Sequence, residues 1–196
     1  MQDKSLEIEF DANPFYLDSV EPDLDTTTLE YNRRGEDVYA DGRQVLVRSC
    51  LDGLISYPNE KEERGILLIK RKGEPAQGYL WPLGGFIDRG HLTAESLASR
   101  VKSESGLEIE LESIKLLGFI NALWNKTPNP NAVAKGLPLG IHDTGLLFYA
   151  IGHGDLNLDK LHEKPTIITP KEYTSEFKDK LHPYVRLGMD RAIKFL

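Results

Sequence analysis

One carboxylate and one guanidinium stand a helical turn apart in this 196-residue chain, just behind a pair of glycines. The acid is Glu104 and the cation is Arg100, and four residues' separation puts them on one helical face. Ahead of them runs Pro82-Leu83-Gly84-Gly85-Phe86-Ile87-Asp88-Arg89-Gly90-His91. Two arrangements are open to Arg100: to pair with Glu104, or to turn to a phosphate. An exposed pair at this spacing is worth only about 0.3–0.5 kcal/mol, so a good anionic ligand can compete with it. His91 has the types of role open to any loop histidine (base, weak metal ligand, hydrogen-bonding residue), and the last is the preferred reading. His142-Asp143, just before a strand, reads as a loop pair and not a dyad, and His182 beside Pro183 reads as structural. No two histidines have metal-ligand spacing. Neither a serine nucleophile elbow nor a phosphate-cradling P-loop is present. Tyr79 and Trp81 flank the glycine turn, and Trp124 opens an Asn/Pro-rich stretch. Core packing is the default for each ring, but its place at a loop makes Trp124 the better candidate to stack on a base.

These residues need elements to hold them. Gln44 to Ile55 and Gly65 to Arg71 are apolar runs that predict strands. Tyr57 to Arg64 reads as a loop between them, and Lys72 to Gln77 as a second. Ala94, Leu97, Ala98 and Val101 recur at helical spacing, predicting a helix over Thr93–Ser105 with Thr93 as N-cap and Gly106 as stop. Alternation predicts a strand over Leu107–Leu111, followed by strands over Ile114–Leu123, Thr144–Ile151 and Thr166–Thr169. Trp124 to Gly140 reads as a long loop. Lys171–Lys180 and Tyr184–Phe195 read as helices, with Pro183 at the start of the second. Strands, one helix, strands and two helices make an α+β fold and not a run of βαβ units.

Charge divides the chain. Residues 1–42 carry 12 Asp/Glu and 3 Lys/Arg, a net of −9, while residues 43–196 carry 19 and 21, a net of +2. The first segment reads as an acidic arm with one or two short strands, anchored by Phe10, Phe15, Tyr16, Tyr31 and Tyr39. The second reads as one domain. A near-neutral body suits a small anionic ligand and gives no support to duplex nucleic-acid binding. No apolar run is long enough to span a membrane. The N-terminus lacks a signal peptide's basic start and apolar run, and the single cysteine, Cys50, suits a reducing compartment, so a cytoplasmic location is expected. Cys50 reads as a structural thiol in an apolar stretch.

The glycine pair, Gly90 and the helix closing on Glu104-Ser105-Gly106-Leu107 resemble the Nudix hydrolases over more than twenty residues, and the resemblance reaches from about Gln44 to the end of the chain. It implies a mixed β-sheet sandwiched between α-helices, here with an N-terminal extension. It also implies hydrolysis of a nucleoside diphosphate linked to another group. In that family glutamates on the helix and a carbonyl at the glycine turn hold Mg²⁺ against the diphosphate. Here Glu104 and Gly85 occupy matching metal positions, so a single ion is implied. The early loop glutamate is His91, the helix arginine is Ser99, the next glutamate is Arg100 and a later one is Ser103. The match therefore also admits a catalytically silent module that binds a nucleotide or a protein.

Leu67 to Arg71 and Pro75-Ala76-Gln77-Gly78-Tyr79 resemble, more locally, the GDP-mannose mannosyl hydrolases, which use one Mg²⁺ and a histidine base to break the sugar C1–O bond. That likeness implies a sugar nucleotide as the preferred substrate, Arg71 as a substrate-binding arginine and His162 as base, with His91 the other candidate. It departs at Phe86, where that group has an arginine, and at Leu161, Glu163 and Lys164 around the base. Arg100, Tyr79 and Trp124 complete the expected substrate contacts. Families of this kind commonly form dimers, and a homodimer is the assembly the resemblance implies.

Overall fold

The computed structural model describes residues 41–42, 45–74, 76–125 and 129–196. The expected strands of the acidic arm lie outside them. An eight-stranded mixed sheet organises the chain: β1 Arg48–Pro58, β2 Arg64–Arg71, β3 Leu80–Trp81, β4 Leu83–Phe86, β5 Glu108–Ile109, β6 Lys115–Trp124, β7 Ile141–His153 and β8 His162–Ile168. Strand β1 is the hub. Its first half pairs antiparallel with β4 (Cys50 opposite Phe86, Asp52 opposite Gly84), and its second half pairs antiparallel with β2 (Ile55 opposite Leu67). Along its other edge it runs parallel to β7 from Arg48 opposite Asp143 to Ser56 opposite Ile151. β8 and β3 pair with β2, while β5 and β6 pair with β7.

The sheet is covered on both faces, as period-2 alternation requires. Leu51, Ile55, Leu67, Ile69, Phe148 and Ala150 point to one side, where they pack with Leu97 and Val101 of helix α1, Thr93–Ser105. Leu54, Ile66, Leu68, Leu147 and Tyr149 point to the other, against Val185, Met189 and Ala192 of a helix over Pro183–Ala192. Between β8 and that helix the chain makes a short helix, α2, Pro170–Glu172, continued by a π-helical turn over Tyr173–Phe177. The Pro183–Ala192 helix is α3. The α+β class and the helix–sheet–helix sandwich expected from the sequence are those observed.

Helix α1 has the predicted bounds, but its N-cap is Leu92 and not Thr93. The Leu92 amide donates to Glu95 Oε2 (3.0 Å), so an acidic side chain satisfies the helix start. Gly106 ends the helix in the left-handed region (φ 75°), its amide donating to the Lys102 carbonyl (2.9 Å). Other boundaries move for a common reason, the availability of ladder partners. β1 begins at Arg48, since Val45, Leu46 and Val47 lie beyond the start of the β1–β7 ladder and are more than half exposed. It continues through Tyr57 and Pro58, read as loop, because Gly65 and Arg64 pair with them. The expected strand over Leu107–Leu111 shrinks to Glu108–Ile109, which finds partners only in Gly152 and His153. β7 outruns its apolar run at both ends, and Trp124 closes β6 opposite Ile141 where a loop was expected. β8 starts at His162, its polar first residues paired with the end of β2. The helix read over Lys171–Lys180 is the short helix and π-turn, and the last helix ends at Ala192 with a 3₁₀ turn to Phe195.

Candidate functional site

Glu104 reaches back from the last turn of α1 to the glycine pair. Its Oε2 accepts from the Gly84 amide (3.0 Å), and among the described residues no cation forms an ion pair with it. Directly across the strand pair, Asp52 of β1 sits opposite Gly84 and is 7% exposed. Gly84 has to be glycine for this reason: a Cβ there would lie 2.2 Å from the Leu51 carbonyl oxygen and 2.7 Å from Asp52 Oδ1. Two acids thus converge on one glycine. Asp52 accepts a short hydrogen bond from the Tyr184 hydroxyl of α3.

Burial dominates the charges of both. It pushes Glu104 up to about 8, with Asp52 and Asp159 adding repulsion, against the Gly84 amide and Arg71. It pushes Asp52 up to about 7, against the Tyr184 hydroxyl and Arg71. Tyr184 is raised well above the usual phenol range by its own burial and by Asp52. Arg71, at the end of β2, is the cation whose field reaches both carboxylates.

Arg71 stands opposite His162 in the β2–β8 ladder. His162 Nδ1 lies 2.7 Å from Asp159 Oδ1, and the Asp159 amide donates to the Glu104 carbonyl (3.0 Å). The fold therefore brings the predicted residues Glu104, Arg71 and His162 to one end of the sheet, together with Asp52, Asp159 and Tyr184, which sequence reasoning missed. Arg71 also lies 5.9 Å from the ring centroid of Trp81, which stacks on Tyr184 (4.7 Å, 21°) and meets Trp124 edge-on (5.8 Å). Tyr79 is half exposed, accepts from the Arg71 amide through its carbonyl (3.1 Å), and puts its ring against His182 (5.3 Å).

Two predicted residues fall elsewhere. His91 precedes α1, while Glu104 is near its far end, roughly 16 Å along the axis at 1.5 Å per residue. Arg100 does not pair with Glu104. Its Nε donates to the Phe86 carbonyl (3.1 Å) and its Nη2 to Asp88, so it ties α1 to the end of β4. His142-Asp143 is not a loop pair: both lie inside β7, and Asp143 receives Arg48 in a two-pronged pair (2.5 and 2.6 Å). His182 is structural as read, capping α3 by accepting from the Tyr184 amide at Nδ1 (3.2 Å). The Cys50 thiol is pushed up to about 12 by burial, consistent with an inert core group.

A divalent cation can be weighed against this donor set. Among the described residues no group of three or more His, Cys, Asp or Glu side chains is placed to hold a metal. Glu104 nevertheless has lone pairs beyond the one that accepts from the Gly84 amide, and with its titration pushed up to about 8 it would give up a proton to take a cation. The arrangement fits one hard ion with few protein ligands, its remaining positions left to water and to a ligand's oxygens.

Known proteins bear on the architecture. No family model matches the sequence. An ADP-ribose pyrophosphatase of Methanocaldococcus jannaschii is 36% identical over 65 residues, which span 33% of this chain and 36% of that protein. A MutT protein from Methanosarcina mazei superposes with a TM-score of 0.54 at 18% identity, covering 78% of this chain and 96% of that one. A MutT Nudix hydrolase from Burkholderia pseudomallei superposes with a TM-score of 0.51 at 19% identity, covering 74% and 98%. The mixed sheet between helices, with the glycine pair that the sequence read as a turn lying in strand β4 ahead of α1, is the Nudix fold. Among the described residues no helix is long and apolar enough to cross a membrane.

Proposed function

We propose that this chain is a slow Nudix-type hydrolase of a nucleoside diphosphate joined to another group, with a sugar nucleotide preferred and one Mg²⁺ required. The observation that carries the reading is the Glu104 carboxyl, buried near Asp52 and held by the Gly84 amide. Once ionised, these two acids would repel an entering diphosphate unless a cation came with it. Glu104 and the Gly85 carbonyl would hold the Mg²⁺, which supplies charge neutralisation and activation of water when bound. Arg71 binds a phosphate oxygen from the β2 end. His162 acts as base: Asp159 accepts from Nδ1, leaving Nε2 to take the proton from the attacking water. His91 is the weaker candidate because of its distance from Glu104. Arg100 orders the glycine turn through Asp88 and Phe86, and Tyr79 and Trp124 offer aromatic surface to the ligand.

A second reading, a silent module that binds the nucleotide without cleaving it, is favoured by one specific feature. The position where the Nudix frame has a second glutamate holds Arg100, already engaged by Asp88. The separating experiment incubates the protein with sugar nucleotides, ADP-ribose and dinucleotide polyphosphates plus Mg²⁺ and assays product. ADP-ribose is included because the Methanocaldococcus relative is named for it. Turnover abolished by Glu104→Gln supports the hydrolase. Ligand binding without turnover of any substrate supports the module. The acidic arm's part in a homodimer is tested by light scattering on a chain lacking residues 1–40; an unchanged oligomeric state leaves the arm without that role.

A further inference from the structure

At the end of the β6–β7 pair lies a hollow of ≈ 200 Å³ lined by Trp124, Pro138, Leu139, Ile141 and His142, among others. It is smaller than the roughly 300–1,000 Å³ of a complete small-molecule site. It therefore suits one ring of a ligand whose remainder lies elsewhere. Among the described residues, none of those lining it is acidic, lysine or arginine. The nearby acid, Asp143, is neutralised by the nearly buried Arg48. An uncharged planar group fits this wall, whereas a phosphate does not.

The indole is held ready. Trp124 Nε1 donates to Asp143 Oδ2 (3.0 Å), whose two oxygens also receive Arg48 Nε and Nη2. Arg48 is itself backed by the Phe86 ring, 4.5 Å from its centroid, at the end of the glycine turn. Asp143 and Arg48 face each other across the parallel β1–β7 ladder, so the ring is fixed from the sheet and not from the loop. His142 adds a polar edge, its Nε2 2.8 Å from Asn121 Oδ1. From Trp124 the contacts run on through Trp81 (5.8 Å) to Arg71 (5.9 Å), which joins the hollow to the phosphate end of the site.

We propose that this hollow is a nucleobase subsite, with Trp124 as its stacking face and Arg48–Asp143 as the positioning pair that sets the indole. The inference rests on the reading of the ligand as a nucleoside diphosphate derivative and names where its base goes. A heteroaromatic base stacks on a fixed indole with little loss of side-chain freedom, and such stacks are sequence-tolerant contacts of useful strength.

The test titrates the full chain with free nucleosides (adenosine, guanosine, cytidine, uridine) and, separately, with pyrophosphate plus Mg²⁺, following tryptophan fluorescence and heat. At least one nucleoside should bind and quench fluorescence, and the quench should vanish in Trp124→Phe. Leu139→Glu changes a two-thirds exposed residue, so the fold is spared, and it should weaken nucleoside binding tenfold or more with pyrophosphate binding unchanged. Asp143→Asn, where circular dichroism shows it folded, should weaken nucleosides in the same selective way, which a general loss of structure would not do. Nucleosides that fail to bind while a nucleoside diphosphate binds would overturn the subsite, as would equal losses for pyrophosphate in Leu139→Glu. Nucleosides that bind at the hollow while pyrophosphate does not would remove the diphosphate reading and leave the subsite standing.

Discussion

Asp52→Asn should make the protein more stable at pH 8 while leaving it nearly unchanged at or below about pH 4. Asp52 is 7% exposed and bonded by the Tyr184 hydroxyl, and among the described residues no cation forms an ion pair with it. The charged groups around it are Arg71 from β2, Asp143 from β7 and Glu104 from α1. Burial sets its folded titration at about 7, against about 3.9 in an unfolded chain. Between those values the folded protein holds a proton that the unfolded chain has released, so unfolding releases protons and stability falls as pH rises through about 4 to 7. Three pH units correspond to about 4 kcal/mol, lost in full above the folded value. Asparagine keeps an acceptor for Tyr184 and mimics the protonated acid, so the variant should recover most of that figure at pH 8. The assay is urea unfolding of both proteins in metal-free buffer at pH 5, 6, 7 and 8, with the slope against denaturant checked for constancy. A residual fall toward pH 8 should persist in both, because Glu104 is pushed up to about 8. If the two stability curves run parallel, or the variant is weaker throughout, Asp52 is not a buried uncompensated acid and the electrostatics of the site are wrong.

Other perturbations read different parts of the site. Gly84→Ala should cost several kcal/mol or prevent folding, since its Cβ would sit 2.2 Å from the Leu51 carbonyl oxygen, whereas Gly85→Ala, with Arg100 Cδ at 3.7 Å, should melt within a few degrees of the parent. Arg100→Glu removes the tie to Asp88 and restores a second acid beside Glu104; calorimetric Mg²⁺ affinity should rise at least tenfold, and an unchanged titration rejects Arg100 as the reason the metal site is weak. Glu104→Gln should remove any turnover and any Mg²⁺-dependent heat together, and turnover surviving in it would take Glu104 out of the chemistry.

Local pattern already contained much of this molecule. The α1 face, its stop at Gly106 and the apolar strands β2 and β7 are short-range properties: helical spacing, a left-handed residue and runs of branched side chains. The glycine frame pointed to the fold and to Glu104 for the same reason, since a turn, a helix and a terminal acid are consecutive in the chain. What the sequence concealed depends on pairing between distant segments. Asp52 looks like an ordinary polar interruption in an apolar strand; only the β1–β4 register puts it opposite Gly84, and only α3 brings Tyr184 to it. Asp143 beside His142 read as a loop pair, because a ladder partner 95 residues away, Arg48, leaves no trace in local spacing. Arg100 is the sharpest case. Helical periodicity set it on the face of Glu104, but the side chain is long enough to choose between neighbours, and the tertiary fold offered Asp88 and the Phe86 carbonyl at the glycine turn. The sequence by itself determined helix α1, the apolar strands that flank it and the one acid, Glu104, at the end of that helix. Tertiary structure decided what that acid faces, because the field around a buried carboxylate is made by groups that meet only once the sheet closes.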